Sequence, residues 1–178
     1  VKPLPNLDFK FVCANTLLHL DNPTQIALFD DHDLDVKLQE IREEYFSTQS
    51  LIKKTRLKEK YSSIVNEEFT LFGESLRTTQ LKSFRPFELD SIASFFDPVQ
   101  MFGVEDFHIV IGNPPYVSAV KSVKANLDSR DTYRKEYKQL SGAFDLYTVF
   151  LLRGLELLAK DGTYSWIIPN KVSVASYA

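Results

Sequence analysis

Between Thr24 and Phe72 the chain contains neither glycine nor proline, and its apolar residues recur at helical spacing. Leu34, Leu38, Ile41, Tyr45 and Ile52 fall three, four or seven residues apart, and Leu57, Tyr61, Ile64, Val65 and Phe69 continue as a second stripe. Each stripe has the spacing of one face of an amphipathic helix. The polar run Ser47-Thr48-Gln49-Ser50 between them predicts two helices or one long bent helix, with a helical hairpin favoured. Elsewhere the pattern changes. Phe9–Cys13 is a short β-prone run after a turn-rich opening and predicts a strand, with Asn15 where the strand gives way to a loop. Phe107–Ile111 is nearly all apolar and halts at Gly112 and two prolines, which suits a central parallel strand buried on both faces. From Phe144 to Lys160 the period is helical, and Asp161-Gly162 is a helix-ending signal. Thr163–Ile168 predicts a further strand, closed by Pro169. Strand, helix and strand in that order make a right-handed parallel crossover. The expected fold class is α/β, with a helical insertion over about residues 24–72 between the first and second strands.

Composition narrows the function classes. The chain has 178 residues, 44% of them apolar, which suits one compact globular domain. No stretch is long and apolar enough to span a bilayer, so no membrane partner is expected. The single cysteine, Cys13, excludes a disulfide framework and fits the cytoplasm. A net charge of −3 argues against a surface built throughout for nucleic acid. Charge is nonetheless uneven. Residues 1–50 hold nine acids against four bases, whereas residues 117–139 hold six bases against three acids. The chain opens on Val1, its only methionine is Met101, and it reads as a segment of a longer protein.

The sharpest chemical feature is Asn113-Pro114-Pro115-Tyr116, placed at the carboxyl end of the expected central strand. Ligands of open α/β sheets bind beyond that end. The Asn113 amide carbonyl can accept a hydrogen bond from an exocyclic amine. Pro115 holds Pro114 in extended geometry, so that the Pro114 carbonyl can face outward as a second acceptor. Tyr116 supplies a flat face on which a base can stack. Two acceptors on one NH₂ group draw its nitrogen towards tetrahedral geometry and free the lone pair for attack, with no charged base required. The competing reading is a Pro-Pro turn that merely ends a strand.

The run Phe107–Val117 resembles the motif of adenine-N6 DNA methyltransferases of the gamma arrangement, and in particular the methylase domains of type IIG-like restriction–modification and phage-defence enzymes. Gly142, Asp145, Leu146, Tyr147 and Phe150 are similar to that family's next helix start. Gly154–Leu158 and Ile167–Lys171 are similar to the helix and strand that follow, and Pro3–Leu7 to the segment before its third motif. The resemblance implies methyl transfer from S-adenosylmethionine to the N6 amine of an adenine flipped out of double-stranded DNA. It assigns Asn113, Pro114, Pro115 and Tyr116 to catalysis, and Phe150 and Asn15 to cofactor binding. Read from charge alone, the basic run that holds Lys121, Lys124 and Arg130 suits contact with DNA phosphates, and a solvated loop competes as its reading. Asn15 departs from the family's usual Asp, and core packing competes as the reading of Phe150.

None of the six glycines forms a Gly-x-Gly loop. Residues 1–178 therefore read as the C-terminal part of a catalytic domain with a partial Rossmann-like sheet. The cofactor loop and N-terminal half are expected upstream, a target-recognition region elsewhere in the parent, and the isolated piece inactive. His19, His32 and His108, with the acids Asp30, Asp31, Asp33 and Asp35, invite a metal reading. A solvated helix start explains the acid cluster instead, and no metal is expected. The alternatives are a methyltransferase acting on a protein glutamine or an RNA base amine, and a non-catalytic helical interaction module.

Overall fold

In the computed structural model the described residues are 8–21, 28–72, 75–88, 90–117 and 127–173. They form six helices and two strands in the order α1 (Leu28–Ser47), α2 (Leu51–Phe72), α3 (Leu76–Ser83), α4 (Pro98–Phe102), β1 (Phe107–Gly112), α5 (Leu127–Glu136), α6 (Leu146–Glu156) and β2 (Leu158–Trp166), with a 3₁₀ turn at Asn170–Ser173. The chain divides into two compact units, one of residues 1–15 and 20–103, the other of residues 16–19 and 104–178. None of the described helices is long and apolar enough to cross a membrane.

The first unit is built on the helical hairpin. α1 and α2 pack together across the three-residue break Thr48–Ser50. Leu34, Leu38, Ile41 and Tyr45 of α1 and Leu57 and Tyr61 of α2 are buried in one cluster. Ile52 departs from the expected stripe and is 71% exposed. The break resets the helical phase, so the seven-residue step from Tyr45 does not carry across it. The expected strand at Phe9–Cys13 is absent. Residues 8–10 form a turn, with Phe9 at φ 61°, and Phe9 is pulled inward onto the rings of Tyr45, Phe46, Tyr61 and Phe87. What survives is a single parallel bridge between Ala14 and Ala93.

Two buried guanidiniums in this unit are held by polar partners. The Arg42 guanidinium donates to the Val99 and Gln100 carbonyls at the end of α4, at 2.7 and 2.8 Å. Arg77 grips Asp35 with two bonds of 3.0 Å. One member of the acid cluster is thereby engaged in the fold. The side chains of Asp30, Asp31, His32, Asp33 and Phe69 lie outside the described residues.

In the second unit β1 and β2 pair in parallel, as the crossover predicts, with Ile109 opposite Thr163 and Gly112 opposite Trp166. Two boundaries differ from expectation. α6 stops at Glu156, and β2 already begins at Leu158 and runs through Asp161-Gly162. Between Phe107↔Leu158 and Ile109↔Thr163 the chain takes two steps on β1 and five on β2, so the glycine marks a bulge rather than a helix end. Asp161 takes φ 68° there, and a Cβ on Gly162 would lie 3.0 Å or less from Leu158 Cδ1, the Ala159 carbonyl and the His108 carbonyl. Nor is β1 buried on both faces. Ile109 and Ile111 are 66% and 73% exposed, because α6 covers only the opposite face of the pair.

Candidate functional site

The Asn113–Tyr116 segment leaves the carboxyl end of β1 and is pinned on both sides. The Ile167 amide donates to the Gly112 carbonyl at 3.0 Å, and the Leu146 amide, at the start of α6, donates to the Val117 carbonyl at 3.1 Å. The Tyr116 hydroxyl donates to the Ile167 carbonyl at 3.1 Å and lies 3.4 Å from Asn113 Oδ1. Pro114 is buried while Asn113, Pro115 and Tyr116 are exposed. Among the described residues no group donates to the Pro114 carbonyl. The loop thus presents an exposed amide and an exposed aromatic ring, flanking a buried Pro114 whose carbonyl receives no bond from a described residue.

Beside it lies a cavity of about 300 Å³, lined by Asn113, Pro114 and Pro115 from the loop, Phe150, Arg153 and Gly154 from α6, Trp166 from β2 and Thr16. The fold brings Phe150 to the same cavity as the tetrapeptide, and Phe150 also packs on the cluster of Leu17, Tyr137, Leu140, Phe144 and Val149. Asn15 belongs to the first unit, where its amide donates to the Ala93 carbonyl at 2.8 Å. Arg130 lies over the Phe144 ring, 5.8 Å from its centroid. Lys121, Lys124 and Pro3–Leu7 fall outside the described residues.

Trp166, Gly154, Arg153 and Thr16 also line the cavity, and of these the motif reading named only Gly154, as the start of a helix match and not as a lining residue. The signal for the first two is a pairing of small and large. Trp166 is the sole tryptophan of the chain, and its ring lies so close to Gly112 and Gly154 that an added Cβ would approach it to 2.3 and 2.5 Å. The Trp166 Nε1 is buried without a hydrogen-bond partner.

Two tyrosines brace this unit from behind. Tyr164 donates to the Leu151 carbonyl at 2.6 Å, and burial pushes its hydroxyl up to about 12. Tyr137 donates to the Leu17 carbonyl at 2.9 Å, and burial raises it as well. A folded pKa above the ordinary tyrosine value of about 10 means that stability is fully present below about pH 10 and falls as pH rises towards about 12. Denaturant midpoints are expected to be level between pH 7 and 9 and to drop at pH 11. A midpoint unchanged at pH 11 would contradict this assignment.

Residues 12–178 match the family described as Eco57I restriction-modification methylase. Over 99 residues the chain is 24% identical to the type II restriction enzyme and methyltransferase RM.Eco57I of Escherichia coli, a match covering 56% of this chain and 9% of that protein. Over 71 residues it is 35% identical to the type II methyltransferase M.BstVI of Geobacillus stearothermophilus, covering 40% of this chain and 12% of that protein. The matched part spans about a tenth of the length of these curated relatives. No solved structure matches the chain.

Proposed function

The chain belongs to the Eco57I restriction-modification methylase family, and on that premise we propose that it carries the base-binding part of a DNA methyltransferase. Its substrate is the N6 amine of an adenine flipped out of the duplex, where the amine becomes reachable. The observation that carries this reading is the pinned Asn113–Tyr116 loop at the carboxyl end of β1, with Asn113 and Tyr116 exposed and no described residue donating to the Pro114 carbonyl.

Asn113 Oδ1 and the Pro114 carbonyl each accept one N–H of the amine, which turns the nitrogen lone pair towards the methyl donor. The proton released on transfer passes to solvent. Tyr116 stacks on the base. In the present arrangement its hydroxyl is tethered to the Ile167 carbonyl, which positions the ring beside Asn113. S-adenosylmethionine supplies the electrophilic methyl group when bound. The residues present fit one end of it. Phe150 lines an apolar cavity that also meets the tetrapeptide. The role of Asn15 in cofactor binding rests on the family resemblance alone, and that of Lys121, Lys124 and Arg130 on DNA phosphates rests on their charge.

β1 and β2 are read as neighbours in a larger Rossmann-like sheet whose remaining layers cover Ile109 and Ile111. The six glycines of the chain form no Gly-x-Gly cofactor loop, so the 178-residue chain by itself is read as inactive, and the full-length cytoplasmic protein serves a restriction–modification or defence system. The test offers full-length protein and radiolabelled S-adenosylmethionine in parallel to duplex DNA, RNA and a glutamine-bearing protein factor. Label is expected in DNA alone. Label in RNA or protein in place of DNA would overturn the reading, and label in none would leave a binding module.

A further inference from the structure

Thr16 forms part of the cavity wall, although its four-residue segment has no regular secondary structure. Side chains from the helical part of the second unit hold that segment in place. The Arg153 guanidinium, 4% exposed, donates through Nε to the Thr16 carbonyl at 3.0 Å and through Nη1 to Glu156 Oε2 at 3.2 Å. The same Glu156 oxygen lies 3.0 Å from His19 Nε2, and His19 Nδ1 lies 2.7 Å from Glu136 Oε2. Tyr137 holds the intervening Leu17 carbonyl. Thr16 and His19, the two ends of the segment, thus converge on one buried guanidinium and its carboxylate.

From this arrangement we infer that Arg153 is a positioning residue that sets the Thr16 wall of the cavity. A charge-assisted bond from a buried guanidinium fixes a part-buried loop carbonyl and leaves that carbonyl unpaired when removed. Asn113 and Pro114 do not depend on it, since their loop is pinned through Ile167 and Leu146. Loss of Arg153 therefore loosens the grip on a flat ring held against Thr16 and Phe150, and leaves the amine acceptors where they are. This consequence for the cofactor rests on the reading of the cavity given above.

The test uses Arg153→Met, which fills similar volume without donors, and Arg153→Lys, which keeps the charge but loses the fork. In the full-length enzyme at saturating DNA, Arg153→Met should raise KM for S-adenosylmethionine about tenfold or more, the equivalent of one lost charge-assisted bond. Its kcat should stay within about twofold, since the amine acceptors remain pinned. Arg153→Lys should fall between. A second arm needs no methyl transfer. Trp166 lines the cavity, so in full-length protein whose other tryptophans are replaced by phenylalanine, acrylamide should quench the remaining fluorescence more strongly with Arg153→Met. Arg77→Met, which breaks the Asp35 pair of the first unit, should leave quenching unchanged. Unchanged KM, a fall in kcat equal to the rise in KM, or quenching that does not respond to Arg153 would each overturn the inference. A wild-type enzyme that transfers no methyl group would instead sink the reading of the cavity, and the quenching arm would then decide on Arg153 alone.

Discussion

Asn113→Ala in the full-length protein is expected to lower the single-turnover rate of methyl transfer by about 10²–10³-fold, by analogy with loss of one preorganised oxyanion-hole donor. Binding of DNA and cofactor should stay close to wild type. The reason is where the interaction does its work. The amide carbonyl meets the amine most strongly as the nitrogen becomes tetrahedral, so its loss falls on the transition state rather than on ground-state binding. Asn113 is exposed and its loop is held by the backbone bonds of Gly112 and Val117, so truncating the side chain should not unfold its surroundings. Tyr116→Phe should by contrast keep most of the activity. It loses the hydroxyl bond to Ile167 but retains the ring face that stacks.

The second large effect concerns stability and site geometry together. A methyl group on Gly112 would sit 2.3 Å from Cζ3 of Trp166 and 2.6 Å from Cε3, well inside any permitted contact. The ring cannot simply slide away, because Gly154 approaches it equally closely, with Cζ2 at 2.5 Å from the position of an added Cβ. Such overpacking typically costs about 1–3 kcal/mol. The displaced backbone is the residue immediately before Asn113. Gly112→Ala should therefore lower the denaturant midpoint and the methylation rate at once, and Trp166→Phe in the same chain should restore part of both. A Gly112→Ala protein of normal stability would show that the contact is not as close as described.

Particular residues show how much of this was legible in the sequence. β1 was legible because five apolar residues in a row stop at Gly112 and two prolines, and the chemistry of Asn113–Tyr116 follows from the residues themselves. The hairpin was legible from the absence of glycine and proline and from the spacing of Leu34, Leu38, Ile41 and Tyr45. Ile52 was misread because periodicity is blind to a phase break of three residues. Phe9–Cys13 was misread because β-propensity says nothing of a ring drawn into an aromatic cluster by tertiary packing. Asp161-Gly162 reads equally as a helix stop or a bulge, and only pairing with β1 decides. Thr16 and Arg153 lie more than a hundred residues apart, and no local pattern connects them.

The most direct test of the central claim is to identify the methylated nucleoside. Duplex DNA treated with the full-length protein and S-adenosylmethionine is digested and its nucleosides are resolved by mass spectrometry, alongside DNA treated with the Asn113→Ala variant. N6-methyldeoxyadenosine from the wild type, reduced about 10²–10³-fold in initial rate for the variant, is the expected result. A methylated cytosine in its place, or N6-methyldeoxyadenosine formed equally fast without the Asn113 side chain, would contradict it.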